Sequence, residues 1–246
     1  MHKLIIFDFD GPILDSFGTA KKAVLKTRDK LIKDGLVLVD KLPEPNEKTF
    51  ILNWGYPGPI GIKRMFPLLD EKEVEIFGKT WMILQKQDEI PLIKGVNKIL
   101  QELKRKNLTT ALITARSHDL KYYLRKEGLI NFLDFVQSWG NPEMKNQEAI
   151  HENHVFHQAF KPNPEVFDKI LKWAEKKKIK KEEILLIDDT LVGTKAAKSI
   201  GINFIGVCTG PISSKENWQE YGRVSPDYVL ESISELPKWL EKRERV

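Results

Sequence analysis

The chain has 246 residues, of which 41% are hydrophobic and 30% charged, so it has enough apolar surface for a core and too much for a disordered polyelectrolyte. Its 40 Lys and Arg against 35 Asp and Glu leave a net +5 spread along the chain, which argues against nucleic acid as a partner; the single Cys208 excludes an intramolecular disulfide or a thiolate metal cage. No stretch approaches the roughly 18 apolar residues of a membrane span, and residues 1–7 are too short for a signal peptide's apolar region, so the expectation is a soluble protein of the reducing cytoplasm.

The first predicted element is Leu4-Ile5-Ile6-Phe7, a fully apolar run that reads as a buried parallel strand. It ends in acid, at Asp8-Phe9-Asp10-Gly11. Over residues 16–35, Phe17, Ala20, Val24, Thr27 and Leu31 recur at helical spacing, with Ser16 as N-cap and Gly35 as C-cap. Two further helical patterns, the second over 71–88, flank a Gly/Pro-rich stretch at 53–61. Residues 15–89 therefore read as a helical insert, and 1–14 with 90–246 as the domain around it.

Beyond Pro91 the pattern alternates. A helix over Val96, Ile99, Leu100 and Leu103 precedes a strand at 109–114; a helix over Leu120, Tyr123 and Leu124, closed by Gly128, precedes a short strand at Phe135-Val136. Residues 139–160 read as polar and irregular. Asn163-Pro164-Glu165 opens a helix, Ile184-Leu185-Leu186-Ile187 is a second buried strand ending in acid (Asp188-Asp189), a helix through Ala196 and Ala197 stops at Gly201, and strands follow at 204–207 and 228–230. Alternation of this kind specifies an α/β fold with a doubly wound parallel sheet.

Ligands of such sheets bind beyond the carboxyl ends of the strands, and Asp8, Asp10, Thr114, Asp188, Asp189 and Lys161 lie at or near those ends. Two acidic pairs brought together would repel unless a cation lay between them. An all-oxygen carboxylate set suits Mg²⁺, which keeps waters and recruits phosphate oxygens, so the constellation describes a phosphoryl-transfer site.

These motifs resemble, in order and over nearly the whole chain, those of haloacid dehalogenase (HAD) superfamily phosphatases with a helical cap inserted after the first strand, similar to phosphoglycolate phosphatases. The resemblance rests on Asp8-Phe9-Asp10-Gly11 with Leu14-Asp15-Ser16, on Leu112-Ile113-Thr114, on the run 161–167 beginning Lys161-Pro162, and on Leu186-Ile187-Asp188-Asp189 with the run 196–201. It implies an Mg²⁺-dependent hydrolase of a small phosphorylated molecule, phosphoglycolate-like or a sugar phosphate, working through an aspartyl-phosphate. Asp8 would be the nucleophile and Asp10 the general acid and then base. Thr114, the adjacent Ala115 and Lys161 would bind the phosphoryl group. Mg²⁺ would be held by Asp8, the backbone carbonyl of Asp10 and Asp189, with Asp188 as an outer partner. Residues 15–89 would be the cap, and Lys63 and Arg64, ending a cap loop over 53–64, would meet an anionic far end of the substrate. A phosphosugar mutase of the same fold, or a catalytically weak binding protein, are the alternatives. A receiver-like phosphorylation module lacks both the helical insert and a second Asp two residues after the first.

The chain departs from that pattern at three places. Pro12 removes an N–H where Thr or Val is usual, Gly193 stands where a second acid is common, and Phe160 before Lys161 is large enough to narrow a phosphate pocket. His151, His154 and His157 are spaced like zinc ligands but have no matching acid or Cys, and read as solvated side chains. Cys208 reads as a small core residue, and the six Trp as packing groups without a ligand.

Overall fold

The computed structural model describes residues 2–85, 89–116, 119–140 and 149–244. In chain order the elements are β1 (Leu4–Phe7), α1 (Phe17–Lys33), α2 (Glu47–Asn53), α3 (Gly58–Met65), α4 (Glu71–Gln85), α5 (Val96–Arg105), β2 (Thr109–Thr114), α6 (Leu120–Lys126), β3 (Phe135–Trp139), β4 (His154–His157), α7 (Asp168–Lys176), β5 (Ile184–Asp188), α8 (Leu191–Ile200), β6 (Asn203–Val207), the short α9 (Lys215–Asn217), β7 (Val229–Leu230) and α10 (Leu236–Glu244). The strands form one sheet in the order β4-β3-β2-β1-β5-β6-β7, every pairing parallel. β1 is central, and the strand order reverses between β1 and β5, where open α/β sheets form their ligand crevice.

Alternation along each strand builds a core on both faces. Ile5, Phe7, Leu112 and Ile187 pack against α5, α6 and α10 through Ile99, Leu103, Leu124 and Leu240. Leu4, Ile6, Ala111 and Leu186 face α7 and α8 through Ile170, Ala174, Ala196 and Ala197. The central strands β1 and β5 are therefore apolar on both sides, which is why they read as continuous hydrophobic runs rather than alternating ones.

α1 to α4 gather a separate apolar cluster from Val24, Leu31, Phe50, Ile62, Met65 and Phe77. α2 also turns Ile51 onto Leu191, Ile212 and Trp218 of the α/β part. The chain then turns at Gly55, whose φ of +86° and lack of a side chain both matter: a Cβ there would lie 2.6 Å from Val192 Cγ2. This close approach places Trp54 and Tyr56 beside the start of α8.

The structure corrects the sequence reading in several places. Part of the segment taken as irregular, 139–160, forms β4, paired with β3 through Val136 opposite His154 and Trp139 opposite His157. Its polarity reflects its place at the sheet edge. The presumed cap loop 53–64 is half helical, since α3 begins at Gly58. α4 ends its described course at Gln85, so the end expected at 88 lies outside the described residues. Among the described residues no helix is long and apolar enough to cross a membrane.

Candidate active site

β1 and β5 are in register, with Phe7 beside Ile187, so the residues that follow emerge side by side. Asp8 continues the ladder through its N–H to the Ile187 carbonyl at 2.9 Å, and its Oδ1 accepts the Phe9 N–H at 2.8 Å. On β5, Asp188 Oδ1 accepts both the Thr190 N–H (2.9 Å) and the Thr190 hydroxyl (2.6 Å). Thr190 in turn caps α8 by accepting the Gly193 N–H. The second acidic pair is thus held by the strand-to-helix turn itself.

Lys161 reaches into this group from the segment after β4. Its Nζ lies 2.8 Å from Asp8 Oδ2 and 2.5 Å from Asp188 Oδ2, and the residue is buried. Burial works to lower its pKa, but the charges of Asp188 and Asp8 and their hydrogen bonds outweigh this and hold it above the ordinary lysine value. One ammonium does not balance three acids. Burial, followed by repulsion from Asp188, pushes Asp8 up to about 7 against the attraction of Lys161, and Asp189 is likewise raised well above the usual carboxylate range.

That excess of negative charge bears on the metal. Asp8, Asp188 and Asp189 each offer a carboxylate oxygen within 4.8 Å of the others, and Asp189 Oδ1 is buried without a hydrogen-bond partner. A hard divalent cation fits this set, because it would satisfy the orphaned oxygen and offset the repulsion. The surroundings leave room for Asp189 only because two neighbours are glycine: a Cβ on either Gly11 or Gly210 would overlap its carboxylate. Gly210→Ala should therefore displace Asp189 and lower divalent-cation affinity at least about tenfold. Loss of the cation-induced rise in Tm would register it, and an unchanged shift would contradict it.

Gly193 has a direct explanation. A Cβ there would overlap Asp188, so the Asp188 carboxylate fills the space into which a residue 193 side chain would point. Pro12 sits in a loop whose hydrogen bonds come from Gly11, Ile13 and Leu14, none of which needs an N–H at residue 12. Phe160 does not narrow the cavity; its ring stacks on Trp139 at 5.7 Å.

Asp10 stands apart from the carboxylate cluster, held by a residue the sequence reading passed over. Arg116 donates through Nε to both Asp10 oxygens (3.2 and 3.1 Å) and through Nη2 to Oδ1 (2.7 Å), while its Nη1 binds Asp119 at 2.7 and 2.9 Å. The Ser16 hydroxyl joins it. Against the upward push of burial, the Arg116 charge and these hydrogen bonds hold Asp10 below the usual carboxylate range. Ser16 was expected as a helix cap, yet its side chain caps nothing and serves Asp10 instead. A signal for Arg116 was present in the chain, since it lies two residues beyond Thr114 at the end of β2, and its backbone N–H binds Thr114 Oγ1 at 3.0 Å.

A cavity of about 200 Å³ opens over these groups. Asp8, Asp10, Thr114, Ala115, Arg116, Lys161 and Asp189 line its floor, and Trp54, Tyr56, Ile62, Met65 and Trp81 line the opposite wall. Of the expected site residues, Lys63 and Arg64 are not brought to it. Both are exposed on α3; Lys63 donates to the Leu69 carbonyl, and Arg64 stacks over the Tyr56 ring at 4.3 Å. Trp54 and Trp81, expected only to pack, line the wall.

His154 is buried rather than solvated. Its Nδ1 accepts the Ile150 N–H at 3.0 Å and its Nε2 pairs with Ser138 Oγ at 2.9 Å, and burial lowers its pKa to about 4. His151 and His157 bind neighbouring backbone N–H groups. Cys208 is half-buried, and burial pushes its thiol up to about 12.

A family model for haloacid dehalogenase-like hydrolases matches residues 5–207. The chain belongs to that family. This haloacid dehalogenase-like hydrolase is 23% identical over 238 residues to the "Putative pyrophosphatase PpaX" of Caldanaerobacter subterraneus subsp. tengcongensis, covering 95% of this chain and 92% of that protein. It superposes on a "predicted phosphatase" from Clostridium acetobutylicum with a TM-score of 0.69 at 18% identity, over 98% of this chain and 99% of the other. A "predicted phosphoglycolate phosphatase" from Haemophilus somnus 129pt gives a TM-score of 0.67 at 18% identity, over 96% and 97% of the two chains. The structural likenesses speak for the fold.

Proposed function

We propose that this hydrolase is an Mg²⁺-dependent phosphomonoesterase that acts on a small phosphorylated molecule through an aspartyl-phosphate. The observation that carries the reading is the meeting of Asp8, Asp189 and the buried Lys161 on the floor of one cavity, with Asp188 grouped with them beneath it. A bound cation would sit among Asp8, Asp189 and the Asp10 backbone carbonyl, with Asp188 behind them, and would offset the charge that otherwise keeps a phosphate dianion from a carboxylate.

Asp8 then attacks phosphorus, and the bond from phosphorus to the ester oxygen breaks as the acyl phosphate forms. Because Arg116 holds Asp10 below the usual carboxylate range, Asp10 gives the departing oxygen a proton only from its minor protonated form; as a carboxylate it next takes one from a water, whose oxygen displaces Asp8 and releases inorganic phosphate. Thr114, the Ala115 segment and Lys161 hold the phosphoryl oxygens, supplying the positioning on which this transfer chiefly depends. The helices of residues 15–89 act as a cap that closes the site from water.

A panel of phosphorylated metabolites assayed with Mg²⁺ and with a chelator tests the reading. Release of inorganic phosphate only with the metal is expected, and no release from any ester would overturn it. Asp10→Asn should cost about 10²- to 10⁴-fold on an alkyl phosphate and markedly less on p-nitrophenyl phosphate, whose phenolate leaves with little help. Equal losses on both would remove Asp10 from the acid role.

A further inference from the structure

The cavity's two walls differ in chemistry. Its charged lining, among the described residues, is Asp8, Asp10, Asp189, Arg116 and Lys161, all on the floor. Both cations are committed: Lys161 to Asp8 and Asp188, and Arg116 to Asp10 and Asp119. The opposite wall is formed by aromatic and aliphatic side chains with two neutral amides, Asn53 and Gln85, and Lys63 and Arg64 lie outside it.

Trp54 on that wall is a braced platform. It packs edge-on against Phe17 (5.2 Å) and Trp81 (6.2 Å) and tilted against Phe50 (5.8 Å), so little rotamer freedom remains to be lost when a ligand covers it. At about 200 Å³ the cavity falls below the roughly 300 to 1,000 Å³ of drug-sized pockets, leaving room for a phosphoryl group and one small ring or chain. A second anionic group on the leaving side would be desolvated against indole and methyl groups, and among the described residues no cation lines that wall to meet it, Arg64 lying over the Tyr56 ring outside the cavity lining.

We infer that the aromatic wall of Trp54, Tyr56 and Trp81 selects phosphate monoesters whose alcohol part is uncharged and presents a flat apolar face, and disfavours a carboxylate or a second phosphate in that place. This rests on the phosphatase reading for the orientation of the substrate. It replaces the carboxylate recognition expected of Lys63 and Arg64.

Non-hydrolysable phosphonates separate binding from turnover. Calorimetric titration of the full chain with Mg²⁺ present should show benzylphosphonate binding at least tenfold more tightly than phosphonoacetate and than methylphosphonate. Trp81→Leu should reduce the benzyl-to-acetate ratio below about threefold. Equal or tighter binding of phosphonoacetate, no advantage of benzyl- over methylphosphonate, binding of none of the three, or an unchanged ratio in the variant would each overturn the assignment. If benzylphosphonate is preferred as expected but neither benzyl phosphate nor any other ester is hydrolysed, the catalytic reading fails and the assignment of the wall stands. Faster hydrolysis of pyrophosphate than of benzyl phosphate would also count against it.

Discussion

Asp8→Asn should lose Mg²⁺-dependent phosphatase activity by about 10⁴-fold or more while keeping the fold, because an amide cannot form the acyl phosphate. The structural cost should be small. Asp8 Oδ1 accepts the adjacent Phe9 N–H, which an amide oxygen also satisfies; Asp8 Oδ2 gives up its pairing with Lys161, but that ammonium keeps Asp188, and burial already drives this carboxyl toward its neutral form, up to about 7. Replacing it also relieves repulsion from Asp188. Steady-state kinetics on p-nitrophenyl phosphate beside a thermal melt are the check: wild-type turnover would remove Asp8 from the nucleophile's role, and collapse of the melt would show that the carboxylate is needed to fold.

Lys161→Met should act in the opposite sense, with the largest effect on stability. Lys161 is the ammonium between Asp8 and Asp188, and removing it leaves three carboxylates grouped without a cation. Breaking a buried ion pair from one side costs about 3 to 5 kcal/mol, which for a chain of this size is a fall in Tm of about 6 to 20 °C. The pH dependence follows from the raised carboxyls. Asp8 has an ordinary value of 3.8 and stands near 7 in the fold, and Asp189 is also raised, so the folded state takes up protons that the unfolded chain has released. The associated stability is present below about 4 and is lost as pH rises through 7. Without Lys161 the variant should therefore be most destabilised at pH 8 and least at pH 5. Saturating Mg²⁺ should restore much of the Tm at pH 8 but not the rate, because the phosphoryl oxygens would still lack their lysine. A Tm deficit independent of pH would mean that Lys161 stabilises by packing alone.

The aromatic wall was hidden in the sequence for a physical reason. Trp54, Tyr56 and Trp81 come from the end of α2, the turn before α3 and the last turns of α4, and neither spacing nor composition says that these three face one point. Their meeting depends on how α1 to α4 pack around Phe50, Ile62 and Phe77, and on the close approach of Gly55 to Val192. Lys63 and Arg64 mark the converse limit. Being basic and near a Gly/Pro stretch placed them by position along the chain, but the helix that begins at Gly58 turns Ile62 and Met65 inward, so the two residues between them face outward.

His154 shows the same limit at the sheet edge. A polar run gives no periodic apolar signal, and the ladder to β3 buries this imidazole because Ser138 and the Ile150 N–H supply its partners. Only pairing with a neighbouring strand could make a strand of that segment.

What the chain's own order determined was the α/β fold, the central strands, and the fact that acids lie at the ends of two of them. Apolar runs of four to six residues separated by amphipathic helices admit few arrangements other than a parallel sheet with right-handed crossovers, and the side chains just past each strand then fall on one edge. The tertiary structure alone decided that Arg116 holds Asp10, that Asp188 occupies the space over Gly193, and that uncharged aromatic groups face the acids. The first and last are meetings between residues far apart in the chain and the second is a close packing across one strand-to-helix turn; all are set by side-chain packing and charge pairing, which no hydrophobic pattern encodes.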